Sequence, residues 1–192
     1  QYRYTIDRYI EQGERRLFFF HSECLVNGEI RMKVRNGQGG FFTREELKNS
    51  RGLLWDAEKA NYTENPLLHI PPDFCKKTHF TTEEVKSYFE GNGYECFKEG
   101  FEILKTHKRS PVSLVGKYYF IDEITEFNPY GGPKKRGYLC GRTTVDPDWW
   151  FFKVHFKNDP CMPGNLMAEG CIQMMSFYLS ALGFTKNRDG WR

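Results

Sequence analysis

Near the C-terminus lies a run that few folds can accommodate: "NLMAEGCIQMMSFYLSALG", residues 165–183. Its apolar side chains fall on nearly every side of a 3.6-residue period, which predicts a helix buried all round rather than lying on a surface. Pro163-Gly164 stand just before it and Gly183 just after, suitable punctuation for a start and a stop. The polar residues Asn165, Glu169, Gln173, Ser176 and Ser180 are spaced 4, 4, 3 and 4 apart. That spacing gathers them into one narrow stripe. The run therefore predicts one buried helix over residues 166–182, with something polar facing the stripe.

Whether the rest can bury such a helix depends on size and composition. The chain has 192 residues, 39% hydrophobic and 17% aromatic, enough for a sizeable core in one large domain or two small ones. A net charge of +3, with no long Lys/Arg stripe and no base-reading module, argues against nucleic-acid binding. No apolar run approaches the ~18–20 residues needed to cross a bilayer. Six cysteines without a C-x-x-C pair speak against a zinc site or a disulfide framework. A reducing cytoplasm is the matching location. The chain opens at Gln1 with no Met and no signal-peptide pattern, which predicts a piece of a longer protein.

Three textures follow one another. In residues 1–45, "YRYTIDRYI" alternates, and "RRLFFFHSECLVNGEIRMKV" is two β-rich runs joined at Asn27-Gly28, a strong hairpin signal. Residues 46–110 are more polar. There "TREELKNSRGLLWDAEKA" and "TTEEVKSYFEG" each open on a Thr cap with early acids, predicting short helices. The proline-broken "NPLLHIPPDF" between them predicts irregular chain, so this middle stretch reads as a structured linker. In residues 111–192, "SLVGKYYFIDEITEF" predicts a strand or a short helix leading into one, "NPYGGPKKRG" a loop, and "GYLCGRTTV" a strand. "WWFFKVHF" also reads as strand. No repeat of fixed period is visible.

Two titratable residues flank the Met-Pro-Gly turn: His155 and Glu169. Burial of Glu169 in an apolar helix would disfavour its charged form and suit it to act as a general acid. A neutral imidazole at His155 can accept a proton. Such a pair suits removal of a proton next to a carbonyl, with loss of a β-hydroxyl as water. Free N–H groups around Gly164 would hold the carbonyl oxygen as charge develops. Each residue also has a plainer reading: His155 as a hydrogen-bonded structural side chain, Glu169 as a structurally paired one.

The stretch "HFKNDPCMPGNLMAEGCIQM" resembles the active-site signature of the β-hydroxyacyl-acyl-carrier-protein dehydratases, most nearly the β-hydroxydecanoyl type. His155, Phe156, Asp159, Pro160, Met162, Pro163, Gly164, Glu169 and Gln173 all fall on the pattern. One position departs, since the β-hydroxydecanoyl enzymes have Asp where this chain has Glu169. The resemblance implies an α+β hotdog fold, in which a curved antiparallel sheet wraps one long central helix. It implies His155 as base, Glu169 as acid, and Gly164, Gln173, Phe156 and Pro163 as substrate-binding residues. It also implies no metal or redox cofactor, the substrate arriving on the phosphopantetheine of an acyl carrier protein.

More weakly, residues 1–45 resemble the closing strands of a dehydratase hotdog from the polyunsaturated fatty acid synthases, and residues 111–192 the opening strands, motif and central helix of the next. The resemblance thus implies parts of two tandem hotdogs, with a second hotdog, from a dimer or a tandem neighbour, completing the site. The function implied is dehydration of 3-hydroxyacyl thioesters to trans-2-enoyl thioesters in fatty acid or polyunsaturated fatty acid synthesis, with or without isomerisation. The competing readings are a hotdog thioesterase or enoyl-coenzyme-A hydratase, and a non-catalytic structural hotdog. Lys153, Lys157 and the Lys134–Arg136 cluster are candidates to steer an acidic carrier protein.

Overall fold

In the computed structural model, which describes residues 1–50, 73–110, 116–132 and 135–189, the Asn27-Gly28 turn does what its residues predict. Both have positive φ, +52° and +83°, as a type I′ turn requires. It joins strands β2 (Arg15–Val26) and β3 (Glu29–Phe41), and β1 (Tyr2–Gln12) pairs with the other edge of β2. All pairings are antiparallel, from Tyr2 opposite Cys24 to Gln12 opposite Arg15, and from Arg16 opposite Phe41 to Val26 opposite Glu29. The sheet and a short helix, α1 (Arg44–Asn49), belong to the first of two units, Gln1–Asp56.

The two faces of this sheet differ. Register places Tyr2, Tyr4, Ile6, Phe18 and Phe20 on one face, with Tyr4 and Phe20 rings 6.1 Å apart. Phe20 and Phe18 lie opposite Gly37 and Gly39, so the rings cover positions that lack a side chain. The other face carries charges: the Arg8 guanidinium lies 4.3 Å from the Phe19 ring centre, and Lys33 pairs with Glu23 at 3.0 Å.

The second unit, Ala57–Arg192, is built round the long helix α4 (Gly164–Ala181). Strands β4 (Glu123–Asn128) and β5 (Tyr138–Arg142) pair antiparallel. Phe80 extends this sheet by a two-way bridge to Ile124, at 2.9 and 3.1 Å. Glycine lets β5 lie close to the helix. A Cβ on Gly137 would fall 1.8 Å from the Tyr178 hydroxyl, and one on Gly141 2.5 Å from Met174 Sδ.

Of the two short helices expected, "TREELKNSRGLLWDAEKA" opens on α1 and "TTEEVKSYFEG" forms α2 (Thr82–Phe89). A third helix, α3 (Gly93–Phe97), and a 3₁₀ turn at Glu102–Thr106 were not expected. Together α2, α3 and this turn supply much of the core. Val85, Tyr88, Phe97 and Phe101 are buried in one cluster with Phe177 and Ala181 of α4. Both expected Thr caps close full capping boxes, Thr43 with Glu46 and Thr81 with Glu84. Thr81→Ala should therefore cost about 1 kcal/mol in the denaturant unfolding of this unit. Most of "NPLLHIPPDF", the rest of "SRGLLWDAEKA", the start of "SLVGKYYFIDEITEF" and Lys134 lie outside the described residues.

Helix α4 forms as expected but is not buried all round. Met167, Ile172 and Met175 are 53%, 55% and 57% exposed. The reason is geometric: the described strands and short helices cover one face, which buries Leu166, Gly170, Gln173, Phe177, Ser180 and Ala181. Phe177 lies at the centre of that face, its ring 5.0 Å from Phe80, 5.1 Å from Tyr88 and 5.3 Å from Phe97. Phe177→Ala is expected to cost about 3–5 kcal/mol, read as a lower urea midpoint.

Candidate active site

His155 lies on a loop that its own backbone closes. Its N–H donates to Phe151 O at 2.8 Å, its carbonyl accepts from Cys161 N at 2.8 Å, and Phe156 and Asp159 exchange bonds at 3.1 and 3.2 Å. The strand expected of "WWFFKVHF" is instead a 3₁₀ turn at Trp150–Lys153. Asp146 starts it, its carboxylate accepting from Asp148 N at 2.8 Å and its carbonyl from Trp149 N at 3.1 Å. An aromatic run has strand propensity only where a neighbouring strand can pair with it. Here Phe151 instead packs into a second buried cluster with Phe120 and Leu166, which moors the His155 loop to the first turn of α4.

Cys161 faces one nitrogen of the ring. His155 Nδ1 lies 3.1 Å from the Cys161 carbonyl oxygen. With hydrogen on Nδ1 the carbonyl accepts it and Nε2 presents its lone pair; with hydrogen on Nε2, Nδ1 can instead accept from the Cys161 thiol, whose Sγ lies 3.4 Å away. The Phe156 ring stacks on the imidazole at 4.3 Å between centres, yet is itself 58% exposed.

Pro163 is the N-cap residue of α4, and its carbonyl accepts from Leu166 N and Met167 N at 3.0 and 3.2 Å. The N–H groups of Gly164 and Asn165, in the first turn, have no acceptor within the helix. A Cβ on Gly164 would meet nothing within 4 Å. The positive end of the helix dipole is thus open to an approaching group.

Glu169 is partly exposed, not buried as the apolar run suggested, because it lies at the margin of the covered face. Gln173, 3% exposed, holds it: Nε2 donates to Glu169 Oε1 at 3.1 Å and to Tyr118 O at 2.7 Å, while Oε1 accepts from Phe120 N at 3.1 Å. Both ends of its amide are engaged by the protein. The other half of the polar stripe meets Tyr88, whose hydroxyl lies 3.0 Å from Ser176 Oγ and 2.9 Å from Ser180 Oγ. Asn165 stays exposed.

The structure therefore brings Glu169 and Gln173 together on one helical face and moors His155 beside the helix start. No hydrogen bond joins His155 to Glu169 among the described residues. Sequence reasoning missed two participants, Cys161 and Tyr88. Cys161 occupies the unspecified position of the motif and acts through its carbonyl, so its residue type gave no signal. Tyr88 is distant in sequence and lies in the stretch read as a linker. Among the described residues, no group of three or more His, Cys, Asp or Glu is placed to hold a metal ion.

Residues 115–192 match the family of FabA-like domains. This segment is similar to the FabA-like domains. The α+β hotdog class expected from the motif stands with that match, and the antiparallel strands and long C-terminal helix agree with it. The matched segment contains His155, Gly164, Glu169 and Gln173, with the turn that separates them. Over 174 residues, 87% of its length, the chain is 29% identical to a polyunsaturated fatty acid synthase polypeptide of Thraustochytrium sp.. It spans 11% of that relative's length, and the similarity reaches well beyond residues 115–192. No helix among the described residues is long and apolar enough to cross a membrane.

Proposed function

We propose that this chain dehydrates 3-hydroxyacyl thioesters to trans-2-enoyl thioesters, as one part of a multidomain synthase of polyunsaturated fatty acids. The observation that carries this reading is the His155–Cys161 contact within a segment that matches the FabA-like domains. With Nδ1 bonded to the Cys161 carbonyl, Nε2 is left to take a proton from C2 of the substrate. The N–H groups at Gly164 hold the thioester oxygen as enolate charge grows. Glu169, oriented by Gln173, gives its proton to the 3-hydroxyl, which leaves as water. Both proton transfers are performed by side chains, and no cofactor enters the scheme. Phe156 and Pro163 border the acyl group.

The acyl group travels on the phosphopantetheine of an acyl carrier protein, with exposed Lys153, Lys157, Lys135 and Arg136 favouring an acidic surface. Residues 1–45 are the closing strands of a first hotdog, and a second hotdog completes the pocket by pairing its acid or base with this chain's. The six free thiols suit the reducing cytoplasm. Isomerisation of the new double bond would use the same base. Incubating the chain with a 3-hydroxyacyl-pantetheine thioester and resolving the products tests the reading. An enoyl thioester is the expected product. Free acid alone, or unchanged substrate with the full synthase region present, would overturn it.

A further inference from the structure

The Cys161 side chain meets the same imidazole as its carbonyl does. Sγ lies 3.4 Å from His155 Nδ1, within hydrogen-bonding reach for sulfur, and the residue is exposed. The proposed dehydration uses the carbonyl and leaves the thiol without a task. In the tautomer with hydrogen on Nε2, Nδ1 accepts the thiol proton. The imidazolium that results keeps its new Nδ1–H within reach of the Cys161 carbonyl, at 3.1 Å. This is the arrangement of a nucleophile beside a base oriented by a third group.

The other five thiols lack it. Cys75 and Cys96 are buried, and burial pushes both thiols up from the ordinary range. Cys24 and Cys140 are half-buried, each beside a tyrosine hydroxyl, Tyr2 and Tyr138. Cys171 on α4 is exposed too, but no hydrogen bond to its thiol is found among the described residues. It serves as an internal reference.

We propose that Cys161 and His155 form a nucleophilic thiol–imidazole pair, a covalent modification site for α,β-unsaturated carbonyl compounds. The thiol proton passes to Nδ1 as Sγ bonds to the β-carbon. The alkene π pair moves onto the α-carbon, which then takes up one proton, so S–H adds across C=C with no oxidant or reductant. The adduct stands at the Nδ1 edge of the imidazole.

Limiting N-ethylmaleimide, with site-resolved mass spectrometry over time, tests this without any turnover. Its outcome is therefore separate from that of the dehydratase reading. Cys161 should be alkylated at least about tenfold faster than Cys171 in the unaltered chain. His155→Asn should bring Cys161 to the Cys171 rate and leave Cys171 unchanged. Equal rates at the two cysteines in the unaltered chain would overturn the proposal. So would a His155→Asn chain of native circular dichroism in which Cys161 keeps its advantage.

Discussion

His155→Ala is expected to lower dehydration by about 10²–10⁴ while the chain stays folded. The loss is large because in the proposed mechanism Nε2 takes the C2 proton, and a methyl group cannot replace it. The fold survives because the loop is closed by backbone bonds, from His155 N to Phe151 and from Cys161 N to His155 O, which alanine also makes. Phe151, not the imidazole, is the side chain that moors the loop in the core. Turnover of a 3-hydroxyacyl-pantetheine thioester, with circular dichroism as the folding control, measures both parts. Turnover near that of the unaltered chain would remove His155 from the mechanism.

Glu169→Gln is expected to bind substrate and fail to dehydrate it. Glutamine keeps the size of the side chain and can still pair with Gln173, but it has no proton to give the leaving hydroxyl. Partial exposure of Glu169 removes stability as a confounding effect, since the neutral amide fills the same half-open place. Glu169→Asp withdraws the acid by one methylene and should keep partial activity, so rates should fall in the order Glu, Asp, Gln. Gln173 adds a second reading of the same series. It reaches Glu169 at 3.1 Å while anchored at Tyr118 and Phe120, and a shortened side chain retreats from that grip. Dehydration by the Glu169→Gln chain within a few-fold of the unaltered one would make Glu169 structural.

Much of the local structure was legible because it is written in neighbouring residues. Asn27-Gly28 specifies a turn with two positive φ angles, and Thr81 with Glu84 specifies a cap, whatever surrounds them. Helix α4 and its polar stripe follow from spacing alone. The motif names His155 and Glu169 because its positions are close in sequence. How Cys161 meets His155 was not legible, since that depends on where the Cys161 carbonyl points. The strand expected at "WWFFKVHF" failed for a similar reason: among the described residues no strand pairs with it, and Phe151 packs against Leu166 and Phe120 instead.

Amino-acid order by itself determined the turns, the caps, the long helix and which residues stand on its polar stripe. All of these rest on interactions within a few residues or on a single period. Tertiary structure alone decided what the stripe faces. Ser176 and Ser180 meet Tyr88, which stands 88 and 92 positions earlier in the chain, and Gln173 meets the backbone at Tyr118 and Phe120. It also decided that Gly137 and Gly141 serve a close approach of β5 to α4. A polar group on a helix must find a partner when covered, and only the packing of distant segments says which one.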